Sequence, residues 1–345
     1  MSDIATFLKP RALVPGDRVA LVAASSRFDP EAVARGKRVL QEWGLTVEGP
    51  PLNEPLRYLA ATDEARAAQL TEAFEREDIA AILSVRGGFG SARLFDLFDP
   101  EVAAVHPKMF VGYSDLTVLL SRLRAEADLV CFHGPMVASD LARLGADELE
   151  RFRRFLFNES GWWSGEGLEC RQGGTARGHL AGGCLSVLVT TLGTPYEIDT
   201  RGAVLFLEDI GEPPYRIDRM LTHLSHAGKL EGLAAVVLGS FLKCDDEENP
   251  GEVLAIFDEI LGPLGIPVVA GFDAGHGSGG AVLPMGIEVR VDADAGVIEL
   301  MEDVFVVPDE TVTRGSQEQE DAAARGEGDG RDGAAADAPL GTRRP

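Results

Sequence analysis

The chain has 345 residues, 45% of them hydrophobic and 26% charged, which is enough for one large or two medium cores, since domains usually run about 100–200 residues. A formal net charge of −24 argues against a nucleic-acid partner, because phosphate binding needs a concentrated basic face and none is visible. No apolar run reaches the ~18 residues of a membrane span, and the first residues lack a secretory pattern, so the expected compartment is the cytoplasm.

In chain order, the apolar run 19–23 predicts a buried strand that leads into Ser25 and Ser26. A helix is expected over 31–43, stopped by Gly44, then a short extended stretch at 46–48. A second helix is expected over 62–75, with Asp63 and Glu64 placed where a helix dipole favours negative charge. The run 79–85 predicts another buried strand, followed by Arg86-Gly87-Gly88-Phe89-Gly90 and a helix over 92–98. Apolar runs without in–out alternation, separated by amphipathic helices, imply a parallel sheet covered on both faces.

Composition shifts at 158–178, which is rich in Gly, Ser and Trp and reads as an inter-domain connection. The second half then predicts strands at 203–207, 234–238, around 268, at 288–291 and at 297–301, with helices at 215–226 and 251–261. The domain plan is therefore 1–158, a connection at 159–178, a second domain at 179–308, and a tail at 309–345. That tail is acidic and poor in large apolar residues, so it is expected to be disordered. Cys131, Cys170, Cys184 and Cys244 are scattered, with no C-x-x-C pair, and no two histidines have metal-ligand spacing. Neither a disulfide frame, a metal nor a cofactor is expected.

The most informative stretch runs from Met109 to Thr117. An apolar strand enters Gly112, and a helix begins just after Ser114. A serine there sits among free backbone N–H groups at a helix start, an environment that stabilises an oxyanion. The turn is similar to the G-x-S-x-G nucleophile elbow, with Leu116 in place of the last glycine. Taken alone, the motif favours a helix cap over a nucleophile. The loop 86–90 is neither G-x-G-x-x-G nor a phosphate-binding loop, and reads either as a tight turn or as a donor of one backbone N–H to an oxyanion. Neighbouring parallel strands deliver both loops to one carboxyl edge, where such folds bind ligands.

Glu208 follows four apolar residues, an unusual place for a carboxylate unless it is paired, perhaps in a structural ion pair with Arg216 or Arg219. His276 lies in a loop with five glycines among ten residues. His133 competes with it, or is a satisfied core residue; His106, His179, His223 and His226 are given no role. Serine, carboxylate and histidine together suffice for acyl transfer.

The chain resembles the LD-carboxypeptidase family of serine peptidases, which includes the microcin-immunity hydrolases. The resemblance runs over about 13–308. It rests on Pro15-Gly16-Asp17, Ala61-Thr62-Asp63-Glu64-Ala65-Arg66, the loop 86–90, Gly112-Tyr113-Ser114-Asp115, His133-Gly134-Pro135-Met136, the stretch 192–197, the blocks 208–212 and 214–221, and Gly275-His276-Gly277. It implies a Ser114–Glu208–His276 triad and an oxyanion hole made by the backbone N–H groups of Gly88 and Asp115. It also implies a flavodoxin-like N-terminal α/β domain, a smaller β-containing C-terminal domain, a homodimer, and release of D-alanine from murein tetrapeptides in cell-wall recycling. Ala23-Ala24-Ser25-Ser26 departs from the family pattern, which would have a proline before the serines. A terminal carboxylate calls for an arginine, and Arg86 and Arg216 are the candidates. The alternatives are hydrolysis of acyl-adenylate analogues, as in the microcin branch, and a non-catalytic protein that binds a ligand in its cleft.

Overall fold

Five short strands form the parallel part of the first sheet: β1 (Arg18–Val22), β2 (Thr46–Glu48), β3 (Ile79–Ser84), β4 (Met109–Gly112) and β5 (Cys131–His133). The computed structural model describes residues 7–49, 54–246, 248–277 and 280–306; the tail expected at 309–345 lies outside them. The spatial order β2-β1-β3-β4-β5 is wholly parallel, the flavodoxin-like order.

Both faces of this sheet are covered, as the unalternating runs predict. On one side Val19, Leu21, Leu83 and Val111 meet Val33 and Leu40 of α1 (Pro30–Glu42). On the other, Val22, Ile82 and Phe110 meet Leu70 and Phe74 of α2 (Asp63–Glu75). Each such fully buried side chain contributes about 1.5–3 kcal/mol. The helix starts follow from local chemistry. Asp29 accepts a hydrogen bond from the Glu31 N–H, with Pro30 at the first position of α1, and Thr62 accepts from the Ala65 N–H at the head of α2. The chain continues through α3 (Glu101–Val105), α4 (Thr117–Glu126) and α5 (Ala146–Leu156).

The second half holds β6 (Glu169–Gln172), β7 (Thr175–Cys184), α6 (Leu185–Leu188), β8 (Val204–Ile210), α7 (Pro214–His226), β9 (Ala235–Leu242), α8 (Glu252–Leu261), β10 (Val268–Ala270), β11 (Leu283–Met285), β12 (Glu288–Asp292) and β13 (Val297–Leu300). The second sheet has the order β13-β12-β7-β8-β9-β10-β6; β7 to β10 are parallel, and antiparallel strands flank them. Strand β11 instead pairs antiparallel with β5, Leu283 opposite His133, and so extends the first sheet.

Three expectations need correction. The segment 159–178 is more than a connection, since it contributes β6 and the start of β7. Residues 92–98 form no α-helix: a 3₁₀ turn at Ser91–Leu94 buries Leu94, Phe95 and Phe98 with too few residues for a longer helix. Glu208 lies inside β8 rather than at its end, beside a register irregularity between Leu207 and Asp209.

Candidate active site

Strand β4 ends at Gly112, and Ser114 opens a 3₁₀ turn, Ser114–Leu116, that runs straight into α4. Ser114 has φ +62°, a left-handed conformation that costs a side-chain-bearing residue about 1–3 kcal/mol. The surroundings hold it there. The buried Asp115 carboxylate accepts from Ser25 Oγ at 2.6 Å and from the Ser91 N–H at 2.8 Å, and Cys184 donates its N–H to Thr117 Oγ1 at 3.1 Å. The glycine-rich loop lies against the hydroxyl. A Cβ at Gly87 would stand 3.0 Å from Ser114 Oγ and 3.4 Å from the Asp115 nitrogen, so a larger residue would push the loop away. Gly88 is the next residue in that loop.

The Arg66 side chain, fully buried, pins the same loop from behind. Its guanidinium donates to the Gly90 carbonyl at 2.9 Å and to the Ala24 carbonyl, and pairs with Asp63, which also takes Arg93. The block 61–66 therefore has a mechanical purpose that its residue pattern alone did not reveal.

Glu208 on β8 is completely buried. Its Oε2 accepts from the His276 backbone N–H at 2.9 Å and from His276 Nδ1 at 2.8 Å, and His276 Nε2 stands 3.1 Å from Ser114 Oγ. Three side chains from distant parts of the chain thus make one hydrogen-bonded row. Burial lowers the pKa of His276, but the hydrogen bond and charge of Glu208, with Asp209 and Asp140 behind it, raise it more, so it sits above the ordinary histidine value. Tyr113 packs its ring edge-on against His276, centroids 4.9 Å apart, and donates its hydroxyl to Asp140 at 3.1 Å.

His133 is also buried here, and neither ring nitrogen has a hydrogen-bond partner among the described residues. Burial pushes its pKa down to about 4 against the opposing pull of Glu208, which keeps the imidazole neutral at pH 7. It is not a satisfied core histidine, and among the described residues neither of its ring nitrogens hydrogen-bonds to Ser114. Among the described residues no cluster of three or more His, Cys, Asp or Glu side chains could hold a metal.

Beside His276 a cavity of about 250 Å³ is lined by Tyr113, His133, Asp140, Arg143, Ile210 and Leu242, among others. Neither arginine singled out from the sequence lines it. Arg216, in the first turn of α7, is tied to Glu212 just before the helix at 3.2 Å and to the hydroxyl of Tyr215. Arg86 donates to the Arg27 carbonyl and borders a separate depression with Asp29 and Arg143. Sequence reasoning missed Tyr113, Asp140 and Arg143. Tyr113 adjoins the serine in sequence, which was an available signal; the other two follow the His133-Gly134-Pro135 strand end and carried none.

The sequence pattern of the LD-carboxypeptidase N-terminal domain matches residues 19–134, and that of the C-terminal domain matches 177–291. The chain belongs to the LD-carboxypeptidase family. It is a serine-type peptidase, a hydrolase of peptide bonds, which sets aside the reading as a non-catalytic binding protein. A relative in Bacillus subtilis (strain 168), named a probable murein peptide carboxypeptidase, is 37% identical over 308 residues, 84% of this chain and 96% of its own. The crystal structure of muramoyltetrapeptide carboxypeptidase from Oxalobacter formigenes is similar with a TM-score of 0.71 at 33% identity, covering 81% of this chain and 97% of that one. The structure of MccF in complex with glutamyl sulfamoyl guanosine gives a TM-score of 0.79 at 24% identity over 87% and 100% of the two chains, a likeness of fold. In this LD-carboxypeptidase, Ser114 falls within the N-terminal match and Glu208 and His276 within the C-terminal one, so the row of side chains joins the two.

Proposed function

We propose that this protein releases the terminal D-alanine of murein tetrapeptides by hydrolysing an L–D amide, with Ser114 as nucleophile, His276 as general base and then acid, and Glu208 as the group that orients the imidazole. The observation that carries this reading is the unbroken row Ser114 Oγ–His276 Nε2 at 3.1 Å and His276 Nδ1–Glu208 Oε2 at 2.8 Å, beside a cavity. The names of the murein peptide carboxypeptidase relatives support the substrate class.

In the first half-reaction Ser114 Oγ attacks the scissile carbonyl carbon while its proton passes to His276 Nε2. The carbonyl oxygen becomes an oxyanion, for which the N–H groups of Gly88 and Asp115 are the donors in this reading. The imidazolium then gives its proton to the departing amine, the C–N bond breaks, and D-alanine leaves. In the second half a water, deprotonated by His276, attacks the ester on Ser114; the C–O bond breaks, and the proton returns to Ser114. Glu208 orients the ring and stabilises the imidazolium.

Product analysis with L-Ala-γ-D-Glu-diaminopimelate-D-Ala tests the proposal. Free D-alanine and the tripeptide are expected from the wild type, and neither from Ser114→Ala. No release by the wild type, or full activity in the variant, overturns it.

A further inference from the structure

An enzyme that removes only a terminal residue must recognise its free carboxylate, and desolvating that charge without a cation costs several kcal/mol. Of the described residues that line the cavity beside His276, Arg143 is the one that carries a guanidinium or ammonium group. We propose that Arg143 binds the terminal carboxylate of the departing residue and so makes the enzyme an exopeptidase; this deepens the hydrolase reading above and rests on it.

Three features support the assignment. Arg143 is held at one end only: Nε donates to the Ser139 carbonyl and Nη2 pairs with Asp140 Oδ1 at 3.2 Å, while Nη1 has no hydrogen-bond partner among the described residues. Its side chain is 71% exposed, so the charge is not committed to the interior. Its anchor is also tied to the reacting centre. Asp140 accepts from the Met136 N–H at 2.8 Å and from Tyr113 at 3.1 Å, and Tyr113 packs on the His276 ring. That chain of contacts holds the base of the guanidinium in register with the imidazole. Asp140 sits in a π-helical turn, Val137–Leu141, a geometry frequent at functional sites.

The other groups of the cavity agree. Glu148, which would repel a carboxylate, already accepts from the Gly145 N–H at 2.6 Å at the head of α5. Leu144, Ile210, Leu242 and Ala281 supply an apolar wall suited to a methyl side chain.

The test compares two peptides that differ only at the C-terminus, a free D-alanine acid and its carboxamide. For turnover, Arg143→Gln is expected to lower kcat/KM on the acid about 30- to 100-fold, mainly through KM, the size expected for a charge-assisted contact. Turnover of the amide falls by far less, so the preference for the acid over the amide drops. Arg143→Lys keeps the charge without the fork and falls between. Equal losses on both peptides, or an unchanged acid-to-amide ratio, overturn the inference. Calorimetry in the Ser114→Ala background separates it from the hydrolase reading. Selective binding of the acid that collapses with Arg143→Gln sustains Arg143 even if the wild type releases no D-alanine, in which case the hydrolase reading alone falls. Equal binding of acid and amide before substitution removes Arg143 whatever the turnover.

Discussion

One oxygen of Glu208 accepts twice from His276, at 2.9 Å from the backbone N–H and at 2.8 Å from Nδ1. Because a carboxylate only accepts, the second contact places the proton on Nδ1 and leaves Nε2 as the acceptor facing Ser114. The double tether depends on the residue before the histidine. Gly275 has φ +99°, and a Cβ there would lie 2.5 Å from Glu208 Oε2.

Gly275→Ala therefore drives a methyl into the carboxylate and strains the backbone together. The expected outcome is a loss of kcat of about 100-fold, since misplacing a catalytic group by about 1 Å has that effect. Stability falls by about 1–3 kcal/mol. Steady-state kinetics with urea unfolding check both, and wild-type activity in this variant would show that the tether does not set the ring position.

The left-handed backbone at Ser114 separates two variants that the proposed mechanism makes inactive. Ser114→Ala keeps the strain, whereas glycine adopts φ +62° freely. Ser114→Gly is expected to be more stable than Ser114→Ala by about 1 kcal/mol, despite the greater freedom of glycine in the unfolded chain. Chemical denaturation of the pair reads the difference directly, and the reverse order would contradict a strained serine.

Arg66 holds the Gly90 and Ala24 carbonyls from a fully buried position. Arg66→Met fills the space but leaves these acceptors and one side of Asp63 without their donor. A destabilisation of about 2–4 kcal/mol is expected. Turnover should drop as well, even at temperatures where the variant is folded, because the loop that faces Ser114 loses its support.

Two neighbouring histidines are shifted in opposite directions, and each has its own pH signature. In the proposed mechanism His276 must be neutral to accept the serine proton, and its pKa is raised. The acid limb of kcat/KM should therefore lie above the usual histidine value of about 6.5 and move down in Asp140→Asn, which removes one of the raising charges. His133 is pushed down to about 4. Below the unfolded value of about 6.5 the unfolded chain takes up the proton and the folded one does not, so stability is intact above that pH and is lost as pH falls toward 4. The loss attributable to this group is about 3 kcal/mol. Urea melts at several pH values should show His133→Phe with a flatter acid slope than the wild type, and identical slopes would mean that His133 titrates normally.

Much of this protein is legible from local signals. Apolar runs announced β1, β3 and β4, Asp63 and Glu64 marked the first turn of α2, and the glycines after Val85 marked a turn, because residues that favour a helix start or adopt positive φ lie beside the places that need them. The pairing of β11 with β5 was not legible, since a three-residue strand carries no mark of its partner some 150 positions away. Neither was β6, whose composition reads as a loop until β10 supplies its hydrogen bonds.

The sequence by itself determined the parallel α/β architecture, the family, and which residue types could do chemistry, all of them consequences of patterns spanning a few neighbouring residues. Only the tertiary structure brought Ser114 within 3.1 Å of a histidine 162 positions later, left Arg216 outside the lining of the cavity, and set Arg143 beside it. A side chain's identity is written in its codon; its distance from another depends on how two sheets pack, and that is a sum over the buried contacts of both.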